Sequence, residues 1–221
     1  MHYICVHGVC HGGWCWDDIR DALSAQGHEV TTPDLPLTSL ADDAAHIIKL
    51  MDDLEGPFVL VGHSYGGAVI SAAAADRQDV QHLFYVAAIM IEATDNFMEL
   101  AQDAPSPLSE HLLITEDNFF TIDPEHAAAC LYQCCDPQEA QAAVARLRKT
   151  SVTCTSTPIG ATPWRDITSS YILCHQDRAI LPALQKEMAT RANHIVDIDT
   201  DHSPFYSARE ELIDALLSGT A

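Results

Sequence analysis

The chain has 221 residues, 48% of them hydrophobic, which suits one substantial core with a modest insertion better than two independent domains. Asp and Glu number 32 against 11 Lys and Arg, and the formal charge of −21 repels nucleic acid and anionic membrane surfaces. No apolar run is long enough to span a bilayer, and the opening MHYICVHG lacks the basic-then-apolar pattern of a secretory leader, so a cytoplasmic protein is expected.

His2 to Val6 reads as a short apolar strand ending at His7-Gly8, and Trp16 to Gln26 as a surface helix stopped by Gly27. Glu29 to Thr32 is expected to form a second strand, followed by a loop from Pro33 to Pro36. A helix is predicted from about Leu40 to Leu54, with Ser39 and Asp42 as a capping box and Gly56-Pro57 enforcing the exit. Phe58 to Val61 is an uninterrupted apolar strand, and Ala68 to Ala75 a helix of small residues able to lie close against a sheet. His82 to Ile91 contains the next strand.

The middle of the chain differs in texture. From about Ala93 to Ile167, two-residue apolar alternation is scarce and helical segments with turn signals dominate. Asp123-Pro124-Glu125 and Asp136-Pro137-Gln138 each set a capping carboxylate before a proline at the first helical position. The stretch reads as an inserted cap over residues 93–168, dividing a core made of 1–92 and 169–221. The sheet resumes at Tyr171 to Cys174, Pro182 to Arg191 supplies a helix, and Ile195 to Ile198 a terminal strand. Ser207 with Glu210 reads as a capping box before the last amphipathic helix. Strands and helices that alternate in this way specify an α/β architecture, a mostly parallel sheet covered on both faces.

The eight cysteines are read as reduced thiols, Cys5 and Cys174 in core strands and Cys130, Cys134 and Cys135 in a helical pattern. No Cys or His pairs recur with finger or ribbon spacing, so no metal is expected.

Gly62-His63-Ser64-Tyr65-Gly66-Gly67 stands between an apolar strand and a helix of small residues. That is the context a GxSxG nucleophile elbow requires: a tight turn presents the serine above the sheet, and the helix beyond points amides at developing negative charge. A nucleophilic serine needs a base and an orienting carboxylate, expected in the order nucleophile, acid, histidine. His202 follows the final strand, where a loop can return it to Ser64. Asp177 follows the preceding strand, although Asp34, Asp199 and Asp201 also stand near strand ends. His7-Gly8-Val9-Cys10-His11-Gly12-Gly13-Trp14 follows the first strand, and its glycines permit close backbone approach. The amide of Val9 is chosen as the partner of the Tyr65 amide in an oxyanion hole, while His11 either lines the entrance or supports the loop.

HGVCHGGWCW at 7–16, LVGHSYGGAVI at 60–70, YILCHQDRAILPALQ at 171–185 and DHSPF at 201–205 together resemble the esterase and hydroxynitrile-lyase group of α/β-hydrolases. That group includes plant methylesterases of the salicylate-binding type and bacterial esterases. The resemblance covers nearly all the chain and is weakest across the cap. It implies the α/β-hydrolase fold, a mostly parallel central sheet flanked by helices with a small, mostly helical cap. By resemblance Ser64 is the nucleophile, Asp177 the triad acid, His202 the base, and Val9 and Tyr65 the oxyanion-hole donors, which favours Asp177 over its neighbours. It further implies a cofactor-free site and leaves a homodimer open.

The expected activity is serine-dependent hydrolysis of a small or medium hydrophobic carboxylic ester through an acyl-enzyme. A cofactor-free hydroxynitrile-lyase-like enzyme and a ligand-binding protein on the hydrolase fold are the alternatives. Plant lyases of this type carry threonine after the first-strand histidine and lysine after the catalytic histidine. Gly8 and Ser203 stand there in this chain, which favours the ester reaction.

Overall fold

The computed structural model describes residues 1–102 and 104–220. The first part of the core runs β1 (His2–Val6), α1 (Asp17–Ala25), β2 (Glu29–Thr31), α2 (Leu40–Asp53), β3 (Phe58–His63), α3 (Gly66–Ala73) and β4 (Val80–Val86). An insertion follows, made of α4 (Phe97–Gln102), β5 (Leu112–Ile114), β6 (Phe119–Ile122), α5 (Pro124–Leu131), α6 (Pro137–Val144), β7 (Thr150–Ser151) and α7 (Thr153–Ser156). The core then resumes with β8 (Ser169–Cys174), α8 (Pro182–Ala189), β9 (His194–Ile198), α9 (Pro204–Ser207) and α10 (Arg209–Ser218).

Six strands form one sheet in the order β2-β1-β3-β4-β8-β9, every neighbouring pair parallel. Because side chains alternate across a strand, each central strand feeds two cores. Ile4, Leu60, Tyr85 and Leu173 pack beneath α2, α3 and α8, with Ile47, Val69 and Met188. Tyr3, Val61, Phe84 and Ile172 face the other way, against Trp16 and Ile19 near the chain start and Phe205, Leu212 and Leu216 near its end. Burial on both faces explains why β3 and β8 read as continuous apolar runs. No helix among the described residues is long and apolar enough to cross a membrane.

Local capping follows the sequence at three helices. Ser39 Oγ accepts from the Asp42 amide, Asp123 from Glu125, and Asp136 from Gln138 and Glu139. At α10 the expected Ser207–Glu210 box is absent: Ala208 takes the cap position, and the Ser207 hydroxyl donates to Asp201 Oδ1 at 2.7 Å instead. The strand expected within 82–91 runs from Val80 to Val86, after which Ala87 turns into positive φ at 44°.

The insertion is also not wholly helical. β5, β6 and β7 pair antiparallel into a small sheet, with Leu112 opposite Ile122 and Phe120 opposite Thr150. Strands of two to four residues are too short to show a readable alternation. Behind them lies a third apolar core built from Phe120, Ile122, Leu131 and Tyr132, with Cys10 reaching in from the loop after β1.

Candidate active site

Strand order reverses direction around β1 and β3, and such switch points gather ligands at the carboxyl ends of the strands. The loop after β1, the turn after β3, and the segments after β8 and β9 all meet there. In the turn after β3, Ser64 adopts φ 54°, a conformation costly for a non-glycine residue unless its surroundings fix it. They do: the Ser64 amide donates to Val86 O at 3.1 Å, and its carbonyl accepts from Gly67 at 3.1 Å and Ile89 at 3.0 Å. A Cβ on Gly62 would lie 2.5 Å from Gly66 O, so the turn closes only around glycine.

Asp177 and His202 are both buried, and His202 Nδ1 donates to Asp177 Oδ2 at 2.7 Å. The acceptor can only be the carboxylate, so Nδ1 carries a proton, and in the neutral imidazole the lone pair is then on Nε2. Asp177 Oδ1 accepts from the amides of Ala179 at 2.6 Å and Ile180 at 3.0 Å. His202 reaches the elbow through His63: His63 Nε2 donates to His202 O at 2.7 Å, and the two rings lie 4.5 Å apart. No hydrogen bond joins Ser64 Oγ to His202 among the described residues, and such contacts commonly tighten only with substrate bound.

The loop after β1 lies directly over Ser64. A Cβ on Gly8 would come within 2.7 Å of Ser64 Cβ and 3.2 Å of His63 Nδ1. Neither the Val9 nor the Tyr65 amide donates a hydrogen bond among the described residues. Two histidines hold the loop. His7 Nδ1 donates to Gly8 O at 2.8 Å while its Nε2 accepts from the Leu35 amide at 2.9 Å. His11 Nδ1 donates to Val9 O at 2.9 Å, and its Nε2 accepts from Tyr132 OH at 2.7 Å. Burial is the main cause that pushes their pKa values down, His7 to about 4 and His11 to about 3, and it sends His63 well below the ordinary range.

Ser64 and Val9 open onto a cavity of about 420 Å³ between core and insertion. Phe97, Leu108, Leu112 and Phe120 from the insertion line it together with Ile180 and Leu184 from the core. No charged side chain lines it among the described residues.

The sequence pattern of the Alpha/beta hydrolase family matches residues 3–215. The chain belongs to this family. It is 27% identical to Methylesterase 7 of Arabidopsis thaliana over 97% of this chain and 94% of that protein. It is 30% identical to Salicylic acid-binding protein 2 of Nicotiana tabacum over 68% of each. Among solved structures, that of polyneuridine aldehyde esterase superposes with a TM-score of 0.89, 20% identity, and coverage of 100% of this chain and 99% of the other.

Around its elbow this α/β-hydrolase carries polar residues that the sequence did not single out. Gln185 on α8 is fully buried; its Nε2 donates to Asp177 Oδ2 at 2.7 Å and its Oε1 accepts from the Cys174 amide at 3.0 Å. Tyr65 OH donates to Asp43 Oδ2 at 2.7 Å, and Asp43 Oδ1 accepts from the Leu37 amide at 2.8 Å. Burial raises the Asp43 carboxyl above its ordinary range. Both residues stand on helical faces that sequence periodicity marks only as core, and a polar side chain on an apolar face was the available signal. Asp201 also sits at 0% exposure, where Oδ1 accepts from the Ser203 amide at 3.0 Å and Oδ2 from the Cys134 amide of the insertion at 2.7 Å. His11 proves to be loop support, turned to Tyr132 rather than into the cavity.

Proposed function

We propose that this α/β-hydrolase cleaves neutral, apolar carboxylic esters of small or medium size through an acyl-enzyme on Ser64. The observation that carries the reading is the buried Asp177–His202 hydrogen bond, which leaves the Nε2 lone pair of His202 to act as base beside the elbow. His202 takes the Ser64 proton as Oγ bonds to the ester carbon, and the carbonyl electron pair moves onto oxygen. The free amides of Val9 and Tyr65 stabilise that oxyanion, an effect typically worth about 3–4 kcal/mol for one donor. Collapse breaks the bond to the alcohol oxygen, which receives the proton from His202. Water then repeats the sequence on the acyl-enzyme, and the carboxylic acid leaves with Ser64 restored.

The described residues that line the cavity carry no charged side chain, which supports a neutral substrate, and its volume suits a molecule of modest size. Relatives named as methylesterases support the ester reaction. The eight free cysteines are consistent with a cytoplasmic enzyme. Cyanohydrin cleavage as the main reaction has less support, because Gly8 and Ser203 replace the threonine and lysine of the plant lyases and Ser203 is fully buried.

Intact-protein mass measurement after treatment with a fluorophosphonate tests the nucleophile, alongside hydrolysis of p-nitrophenyl butyrate. One adduct on Ser64 is expected, and Ser64→Ala should lose both the adduct and at least about 10³-fold of turnover. Activity retained in Ser64→Ala, or inactivation through another residue, overturns the assignment.

A further inference from the structure

We propose that His111, Asp123 and His126 form a site for a borderline divalent metal ion of the zinc class on the insertion, apart from the ester-cleaving residues. Two short segments meet there. His111 ends the 3-10 turn Pro107–His111, Asp123 caps α5, and His126 stands in the first turn of that helix. The Asp123 amide donates to His111 O at 2.9 Å, and Leu112 pairs with Ile122, so the segments are held in fixed register.

The side chains converge further than the backbone requires. His126 Nδ1 lies 2.9 Å from Asp123 Oδ2, and the His111 and His126 rings stack 3.8 Å apart with 8° between their planes. One ligand atom from each residue lies within 4.8 Å of the others. Bonds of about 2.0–2.1 Å in a tetrahedral site put ligand atoms roughly 3.3 Å apart. Closing the remaining gap requires the two rings to unstack, because imidazole lone pairs lie in the ring planes and those planes are now nearly parallel. All three residues are partly exposed, which leaves the side chains room to turn.

Helix capping accounts for part of the cluster, but it uses the other oxygen. Asp123 Oδ1 accepts from the Glu125 amide at 3.1 Å, which leaves Oδ2 directed at the His126 imidazole. Two imidazoles with one carboxylate suit zinc, cobalt or nickel rather than the all-oxygen shells of calcium and magnesium. Positions 111, 123 and 126 have no finger or ribbon spacing, which is why the sequence offered no metal set. An ion here would tie the Pro107–His111 turn to α5. Leu108 and Leu112, in and just after that turn, line the cavity, so occupancy would stiffen one of its walls.

The full chain, freed of metal by chelation, is titrated with zinc chloride at pH 7.5 by calorimetry. Cys134→Ser and Cys135→Ser are introduced first, because Cys134 is exposed and Cys135 partly so. One equivalent is expected to bind with a Kd in the micromolar range or tighter. His111→Ala and His126→Ala should each weaken binding at least tenfold, as should Asp123→Asn, which keeps the capping oxygen. Histidine-ring NMR of the unsubstituted histidines provides a reading that does not depend on variants: zinc should shift the His111 and His126 rings and leave His175 and His194 unmoved. Absence of binding below about 1 mM, equal binding in both alanine variants, or ring shifts confined to other histidines would overturn the proposal.

Discussion

Gln185 Nε2 donates to Asp177 Oδ2 at 2.7 Å, the same carboxylate oxygen that accepts the His202 ring proton. A second bond from Gln185 Nε2 to Ile180 O at 2.7 Å, with the Cys174 amide on Oε1, locks the amide against rotation. Gln185 therefore fixes where the carboxylate points, and through it the orientation of the imidazole.

Hydrogen bonds to a charged group are worth about 1.5–3 kcal/mol, and each 1.36 kcal/mol lost from transition-state stabilisation is tenfold in rate. Gln185→Met is expected to lower kcat on p-nitrophenyl butyrate by roughly 10-fold to 100-fold, with KM changed little. Gln185→Glu, which turns a second carboxyl toward Asp177, should be worse. Steady-state kinetics on protein whose thermal melt is intact provides the check. A lowered melting temperature with kcat unchanged would leave Gln185 with a packing role alone.

Asp177 and Asp201 are both buried, but among the described residues the His202 ring hydrogen-bonds Asp177 and not Asp201. Asp177→Asn should cost on the order of 10²–10⁴ in turnover by disfavouring the productive tautomer, with the fold retained. Asp201 Oδ1 and Oδ2 accept hydrogen bonds from the Ser203 amide, the Ser207 hydroxyl and the Cys134 amide, so Asp201→Asn must turn an NH2 against one of these donors. A loss of about 1–3 kcal/mol in unfolding free energy is expected, with turnover of the folded protein largely kept. Chemical denaturation paired with kinetics separates the two outcomes. If Asp201→Asn kept full stability but lost turnover, the acid would have to be reassigned.

The segments carrying Ser64, Asp177 and His202 were legible because each follows a strand whose apolar run is unbroken or nearly so, and the elbow has a local signature. Strand ends moved by a few residues, as at Val86, because nothing in Ala87 announces its positive φ. The supporting residues were hidden for a different reason. Gln185 meets Asp177, Asp43 meets Tyr65 and Tyr132 meets His11 across 8, 22 and 121 positions. Such contacts depend on how elements pack, and no spacing rule reports them. The small sheet of the insertion escaped because pairing between Phe120 and Thr150 joins fragments shorter than one period of reliable alternation.

Gly8 lies where even a methyl group has no room. Its added Cβ would stand 2.7 Å from Ser64 Cβ, below any ordinary van der Waals contact. Neither atom is the far end of a flexible side chain, so either the elbow or the loop bearing the Val9 amide must shift. Misplacement of about 1 Å can cost on the order of 10²-fold in rate. Gly8→Ala is therefore expected to lose about 10²-fold in kcat/KM and to react more slowly with a fluorophosphonate. The threonine of the plant lyases cannot simply be grafted at this position, nor a lysine at the buried Ser203. Near wild-type kinetics in Gly8→Ala would mean that the loop yields without disturbing Ser64.

The buried histidines give stability a pH dependence of defined sign. An unfolded histidine titrates near 6.5, whereas burial holds His11 at about 3 and His7 at about 4 in the folded protein. Between those values the unfolded chain binds more protons, so stability rises with pH. Their contribution is complete above about pH 6.5 and is lost as pH falls toward the folded values. Two effects work the other way. Protonating part of the 32 carboxylates relieves self-repulsion, and Asp43, raised by burial, favours the folded state as pH falls through its folded value. The histidine contribution is therefore read as a difference between proteins. His11→Gln removes one titrating ring, and its unfolding free energy should fall less steeply than that of the wild type from pH 6.5 to 4.5. The difference in slope should be roughly one proton over that range. Urea denaturation at half-unit steps measures it, with His7 and His63 present in both proteins. Parallel curves for the two proteins would show that His11 is not held neutral between Val9 and Tyr132.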